Sequence, residues 1–350
     1  MVVTGKESNV CTYNQLTDSV LVLHQCLTEF VAYPWFERRL KFYLFGADIA
    51  PRGSHSLDHE RHHQLMANLI RSAKSGSDWT QNDLRAFNIT IQRVDSTVFF
   101  GSPDLPQPAV SQVVLQNERK PNNVQLDKPD RQFFSLLNAA ERGFEESAVD
   151  DFAVHVFRMM GYDDNGDRII RTRKAIQLFM CGHKVVAQTD VCVMEENLFQ
   201  YLLIQEDRVC RTIGMFVSTS PNPSSQRSES YNDPVPQLVA EAIAAFSSNN
   251  HRKSVANVPQ DAHALMRGIT MVGTTAMFYR IPVTQQLVDA VAIGAYPAEE
   301  TVISQFIPPV PALGSYPEDG MRPLVNRHIV FQCSEAFKFV SLNGSFVAFF

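Results

Sequence analysis

Val185-Val186-Ala187-Gln188-Thr189-Asp190-Val191-Cys192-Val193-Met194, then Glu195-Glu196-Asn197, then Leu198-Phe199-Gln200-Tyr201-Leu202-Leu203-Ile204-Gln205-Glu206-Asp207-Arg208 is the stretch that decides the fold. Residues 185–194 are apolar and β-branched around one acid, which reads as a strand. Residues 198–204 form an unbroken apolar run of strand length, as expected of a central strand buried on both faces. The few residues between them cannot supply the long crossover that parallel neighbours need, so the two strands are expected side by side and antiparallel. Each carries acid: Asp190 in the first, Glu206-Asp207-Arg208 at the end of the second. Period-two alternation puts Glu206 and Arg208 on one face and Asp207 on the other. On neighbouring strands Asp190 and Glu206 can converge on one divalent cation, for which Mg²⁺ or Mn²⁺ is the expected choice because hard cations take oxygen ligands.

Upstream, Phe144, Ala148, Val149, Phe152, Ala153, Val156, Phe157 and Met160 recur at three-to-four spacing, with Gly161 as a C-cap, so a helix packs one face on a core. A strand over 175–180 follows, turning at Cys181-Gly182-His183. Downstream, Val235, Leu238, Val239, Ala242, Ile243 and Phe246 mark another helix. Residues 269–283 read as further strand around Gly273, and 285–293 as a helix. Helix, three strands, helix, strand is an α/β core, a mixed sheet flanked by helices. Before it, helical patterns over 20–45 and 57–74, a strand over 88–100 and a Pro-, Asn- and Gln-rich linker over 103–131 make an N-terminal α+β extension. The expected division is an accessory region over 1–135, the core over 136–295, and over 296–350 a Pro-rich connection with an amphipathic segment at 329–340. Residues 218–233 read as a polar loop.

The 350 residues are 45% hydrophobic and 19% charged, which excludes a disordered chain. Lys and Arg number 31 against 37 Asp and Glu, a formal charge of −6, which excludes binding by a dense basic surface but not a small basic groove. With no run of 18 apolar residues and no cationic start leading into an apolar core, neither a membrane span nor a secretory signal is expected, and the chain reads as intracellular. Six scattered cysteines without a Cys-x-x-Cys pair read as reduced thiols, with Cys192 in the core, rather than as a zinc site.

The order of acidic helix, Thr189-Asp190 on a strand, and Glu206-Asp207-Arg208 at the end of the next resembles the restriction-endonuclease-like PD-(D/E)XK nuclease superfamily. The longer text, including Ala148-Val149-Asp150-Asp151-Phe152-Ala153, Gln205-Glu206-Asp207 and Pro236-Gln237-Leu238-Val239-Ala240-Glu241-Ala242, is similar to uncharacterised fungal proteins. The superfamily resemblance implies metal-dependent phosphodiester hydrolysis of DNA or RNA. It implies Asp190, Glu206 and Arg208 as catalytic residues, with Asp190, Glu206, Asp207 and a helical acid, Glu145 or Glu146, around Mg²⁺ or Mn²⁺. Glu145 falls on the axis of the apolar helix stripe and Glu146 at its edge, although a solvated first turn favoured by the helix dipole explains both equally. Threonine stands where the family name has proline, and Arg208 stands where the family has lysine. Arginine can hold a phosphate but stays protonated, so it cannot act as a base. The alternative is therefore a catalytically inactive nuclease-like fold that binds nucleic acid or protein, its N-terminal region selecting the substrate or a protein partner.

Arg168, Arg171, Arg173 and Lys174 crowd the segment before the first core strand, either as a phosphate-contacting edge or as a solvated turn. Gln237 and Glu241, one turn apart, are expected on an exposed helix face. His55, His59, His62 and His63, with Asp58 and Glu60, fall within nine residues and form a rival metal-binding constellation.

Overall fold

Short connections dictate most of the strand pairing. The computed structural model describes residues 71–142, 145–164, 167–197, 200–208 and 233–342, all in the second of two compact units, residues 65–350. Along this unit run α1 (Gln81–Ala86), β1 (Ile89–Arg93), α2 (Ser96–Phe100), α3 (Gln112–Gln116), α4 (Lys128–Arg142), α5 (Glu146–Met159), β2 (Arg168–Met180), β3 (His183–Glu195), β4 (Gln200–Arg208) and α6 (Val235–Val255). They are followed by β5 (His263–Val272), β6 (Thr275–Thr284), α7 (Gln285–Ile293), β7 (Thr301–Phe306), α8 (Tyr316–Asp319) and α9 (Leu324–Leu342). The strands make one open seven-stranded sheet in the order β1-β7-β6-β5-β4-β3-β2.

Strands β2, β3 and β4 are successive antiparallel neighbours, as the brief links after Met180 and Glu195 require. The β2–β3 turn has left-handed backbone at both Cys181 (φ 51°) and Gly182 (φ 79°), the conformation that matches strand twist in a two-residue hairpin. Strand β5 instead runs parallel to β4, and α6 supplies the crossover. Strands β5, β6 and β7 are again antiparallel, and β1 closes the sheet parallel to β7. The architecture is thus mixed α/β, a mostly antiparallel open sheet with helices on both faces.

Each face carries its own core. On one, α1, α6 and α7 cover Ile176, Cys192, Ile204 and Tyr279; on the other, α4, α5 and α9 cover Val191, Leu203, Ile269 and Phe278. Leu203 and Ile204 of β4 are both buried, in opposite cores, so the apolar run is a central strand covered twice. Gly268 of β5 allows the closest helix approach: a Cβ there would lie 2.7 Å from Leu238 of α6. No helix among the described residues is long and apolar enough to cross a membrane.

Two expectations need correction. The strand over 88–100 stops at Arg93 because the Asp95 side chain accepts from the Val98 amide and caps α2. The stretch over 103–131 is not a bare linker. It contains α3, buries Val114, and is clasped by the buried Arg327 of α9, which donates to the carbonyls of Val114 (2.8 Å), Asn117 and Glu118 (3.1 Å). Burial pushes the Arg327 pKa down to about 10. Residues 76–135 also contribute edge strand β1 to the sheet.

Candidate acidic site between the sheet and helix α6

Asp190 sits where β2 and β3 slip out of regular pairing. Thr172 pairs with Val191 and Lys174 with Thr189, so Arg173 and Asp190 face each other and both drop out of the ladder. Arg173 takes the left-handed backbone (φ 50°), unusual inside a strand. The side-chain alternation of both strands reverses across this point. Ala187 and Val191 have the same parity but pack in opposite cores, and so do Ile170 and Ile176. Thr189, wholly buried, aims its hydroxyl at the carbonyls of Val191 (2.8 Å) and Gln205 (3.2 Å), so it replaces part of the lost pairing between β3 and β4. Asp190 is half-buried beside this irregularity.

Val191 pairs with Gln205. Asp190 and Glu206 are the next residue of each strand beyond this last pair. Glu206 is fully buried, pairs on its other side with Thr270 of β5, and lies under the N-terminal half of α6. There the Gln237 amide donates to Glu206 Oε2 at 2.8 Å, to Glu241 Oε1 at 3.0 Å and towards the Gln188 carbonyl at 3.3 Å. Two acceptors within hydrogen-bond reach of one nitrogen lie within about 6 Å of each other. Glu206 and Glu241 are both 0% exposed.

A polar row continues from Glu206 across the sheet. Thr270 donates to the Tyr279 hydroxyl at 3.3 Å, and the Gln305 amide donates to the same oxygen at 2.9 Å. Burial pushes the Tyr279 pKa up to about 12, so this hydroxyl keeps its proton at neutral pH.

The expected exposed helix face at Gln237 and Glu241 is a correction: Gln237 is 6% exposed and Glu241 not at all. Helix α6 is buried on every side from Val235 to Phe246 because it is the crossover pressed on a central strand. The signal was in the sequence. The face away from Leu238 and Ile243 carries Ala240 and Ala244, small residues that permit close packing there as well.

Helix α5 carries its acids at two depths. Glu145 is the N-cap and Glu146 lies in the first turn, both exposed. The acid carried inward is Asp150, 7% exposed, three and seven residues before Ala153 and Phe157 on the apolar stripe. Its Oδ2 meets Arg173 at 3.5 Å, and its buried Oδ1 has no hydrogen-bond partner. Arg173, opposite Asp190 in the register, is therefore the link between α5 and the strand irregularity.

Asp207 and Arg208 continue β4 opposite Met271 and Val272, while their side chains lie outside what is described. The histidine constellation at 55–63 lies outside the described residues altogether. Among the described residues no group of three or more His, Cys, Asp or Glu side chains is gathered as a metal centre. Cys192 is a buried free thiol in the core. Neither models of known protein families nor curated proteins match this chain.

Proposed function

We propose that this chain is a metal-dependent phosphodiesterase acting on nucleic acid inside the cell, with a PD-(D/E)XK-like site centred on Asp190 and Glu206. The observation that carries the proposal is that each acid directly follows the Val191–Gln205 pair on adjacent strands β3 and β4, with Glu206 held by the Gln237 amide. Supporting it, α5, the strand β3 that carries Asp190 and the next strand β4 that ends in Glu206-Asp207-Arg208 follow one another in the order that the resemblance implies.

The donor set is all oxygen, which fits Mg²⁺ or Mn²⁺. Asp190 and Glu206 would hold the ion, with Glu241, which shares the Gln237 amide with Glu206, to add a further carboxylate. A bound ion polarises the scissile phosphate and acidifies attacking water. Gln237 would orient Glu206 by donating to its Oε2. Arg208 would hold a phosphate oxygen, and the β2 cations Arg171, Arg173 and Lys174 would line the path of the nucleic-acid backbone beside the site.

A second reading is favoured by one feature. Glu206 and Glu241 are sealed from solvent with an amide between them, an arrangement that also suits an inactive fold binding nucleic acid or protein. The two readings separate in one experiment. Mn²⁺ should raise the melting temperature and support cleavage of DNA or RNA in wild type, and both effects should be lost in Asp190→Asn and Glu206→Gln. A folded wild-type protein that neither responds to Mn²⁺ nor cleaves would leave the binding module as the function.

A further inference from the structure

Four lysines among the described residues are half-buried: Lys74, Lys174, Lys253 and Lys338. Three of them meet a carboxylate, Lys74 at Asp83 (2.8 Å), Lys253 at Asp261 (2.6 Å) and Lys338 at Glu335 (2.8 Å). The Lys174 side chain has neither an ion pair nor a hydrogen bond among the described residues. Partly desolvated charge is normally paired, so an ammonium left in this way is ready for an anion from outside the fold.

The slip between β2 and β3 decides which face this lysine joins. Arg171 and Lys174 differ in parity, yet the reversal at the left-handed Arg173 turns both to the face that α6 covers, as it does Ile169 and Ile176. Cys192 of β3 lies in that core. Burial pushes its thiol up to about 12, against the pull of Lys174 and Arg171 and with that of Glu241, so all three groups surround it. A thiol that stays protonated is no counter-ion for the lysine. Glu206 belongs to the same face, since Gln237 of α6 donates to it and Ile204, two residues before it, packs in the core beneath α6. Lys174 pairs with Thr189, the residue before Asp190. Strands β2 and β4 are two strand spacings apart, about 10 Å, which leaves room for a phosphate between the lysine of one and the carboxylate of the other.

We propose that Lys174 is the residue of the acidic site that holds the reacting phosphodiester, its ammonium donating to a non-bridging oxygen of the phosphate that the ion on Asp190 and Glu206 polarises. For its substrate class this assignment rests on the nucleic-acid reading proposed above. Arg171 and Arg173, both exposed on the same strand, meet flanking phosphates. The left-handed arginine then has a purpose, because without the reversal Lys174 would join the α5 face, away from Glu206.

Cleavage and binding of a DNA duplex and an RNA duplex should be measured on the full chain, comparing wild type with Lys174→Gln, Lys174→Arg and Arg171→Gln. In Mn²⁺, Lys174→Gln should lower kcat by about 10²-fold with little change in KM, the loss expected for one donor aimed at developing charge. Lys174→Arg should recover part of that loss by restoring the charge, and Arg171→Gln should raise KM instead. The melting temperature of Lys174→Gln should match wild type, because no ion pair is broken. Binding in EDTA gives a readout without cleavage: the slope of log K against log salt should fall by about 0.9 in Lys174→Gln and hold in Lys174→Arg. An intact kcat in Lys174→Gln overturns the proposal while the nuclease reading stands, and a lowered slope beside it would mean a flanking phosphate. If wild type does not cleave, the nuclease reading fails and the slope decides: a fall by one contact keeps Lys174 as a phosphate-binding residue, and an unchanged slope overturns it. A wild type that binds neither duplex overturns both.

Discussion

Glu206 of β4 and Glu241 of α6 share one hydrogen-bond donor, the side-chain nitrogen of Gln237, at 2.8 and 3.0 Å. This links the central strand to the crossover helix through two buried carboxylates, an expensive arrangement to keep for packing alone.

Removing one of the two charges without changing shape should therefore stabilise the metal-free protein. Glu241→Gln is expected to raise the unfolding free energy in EDTA by about 1 kcal/mol, because the remaining carboxylate no longer has a like charge beside it. In Mn²⁺ the order should reverse, with wild type gaining stability and the variant gaining little, since an ion bound only by the folded state stabilises it by mass action. Urea titrations in the two buffers test this. A Glu241→Gln variant that loses more than it gains in EDTA would mean that the carboxylate is needed as a hydrogen-bond acceptor, not tolerated as a charge.

The irregularity at Arg173 gives a second expectation. A left-handed residue other than glycine costs roughly 1 kcal/mol, and a β-branched side chain costs more. Arg173→Gly should be neutral or slightly stabilising despite losing the 3.5 Å contact to Asp150, because Arg173 is mostly exposed and its ion pair contributes little. Arg173→Val should cost about 1–2 kcal/mol, by analogy with other strained backbone positions. If Val is tolerated as well as Gly, the strand pair can re-register, and the reversal of alternation around Asp190 is not fixed by this residue.

Arg327 is the structural pin of the far face. Its guanidinium is fully buried and satisfies carbonyls of the 114–118 segment as well as those of Met321 and Arg322. Arg327→Met keeps the packing volume but leaves these acceptors bare, for an expected loss of about 3 kcal/mol. Arg327→Lys should lose nearly as much, because one ammonium cannot reproduce the fork. Hydrogen exchange should show the loss concentrated in α3 and its flanks. Uniform loosening of the whole sheet would show that the clasp does not act locally.

Much of this architecture was legible from residue pattern. The apolar run around Leu203 and Ile204, and the short link before it, imply a doubly covered strand antiparallel to its neighbour, and both follow from local rules. The acids were harder to place. Alternation alone cannot locate Asp190, because the slip at Arg173 reverses the parity of two strands at once. A left-handed arginine has no sequence signature as glycine does. Gln237 and Glu241 look like an exposed helix face until the helix is known to be a crossover closed in on every side. Asp150 borders the apolar stripe too, but the wheel position of Glu145 and Glu146 drew the ligand expectation, against which the helix dipole already offered a solvated first turn. Arg327 was unreadable, since its partners are carbonyls some 210 residues away in sequence.

Arg208 decides between enzyme and binding module. It lies two residues beyond Glu206 on β4, opposite Val272 of β5, where the resemblance places a lysine. Arginine there offers a permanent charge for a phosphate oxygen but no proton to exchange at neutral pH, whereas the compact lysine ammonium can lose its proton when buried near other cations. If the chain is a weakened nuclease, Arg208→Lys should raise Mn²⁺-dependent cleavage by ~10²–10⁴, the range that one positioned acid–base group contributes. The comparison needs wild type, Arg208→Lys and the double variant with Asp190→Asn, each with and without Mn²⁺, on single- and double-stranded DNA and RNA. Cleavage that rises in Arg208→Lys and vanishes in the double variant ties the activity to the acidic site. Robust wild-type cleavage that Arg208→Lys leaves unchanged makes charge stabilisation, not proton transfer, the task of this position. Absence of cleavage in every variant, together with an unchanged melting temperature in Mn²⁺, would remove the enzymatic reading and leave the buried carboxylate pair to be explained by binding.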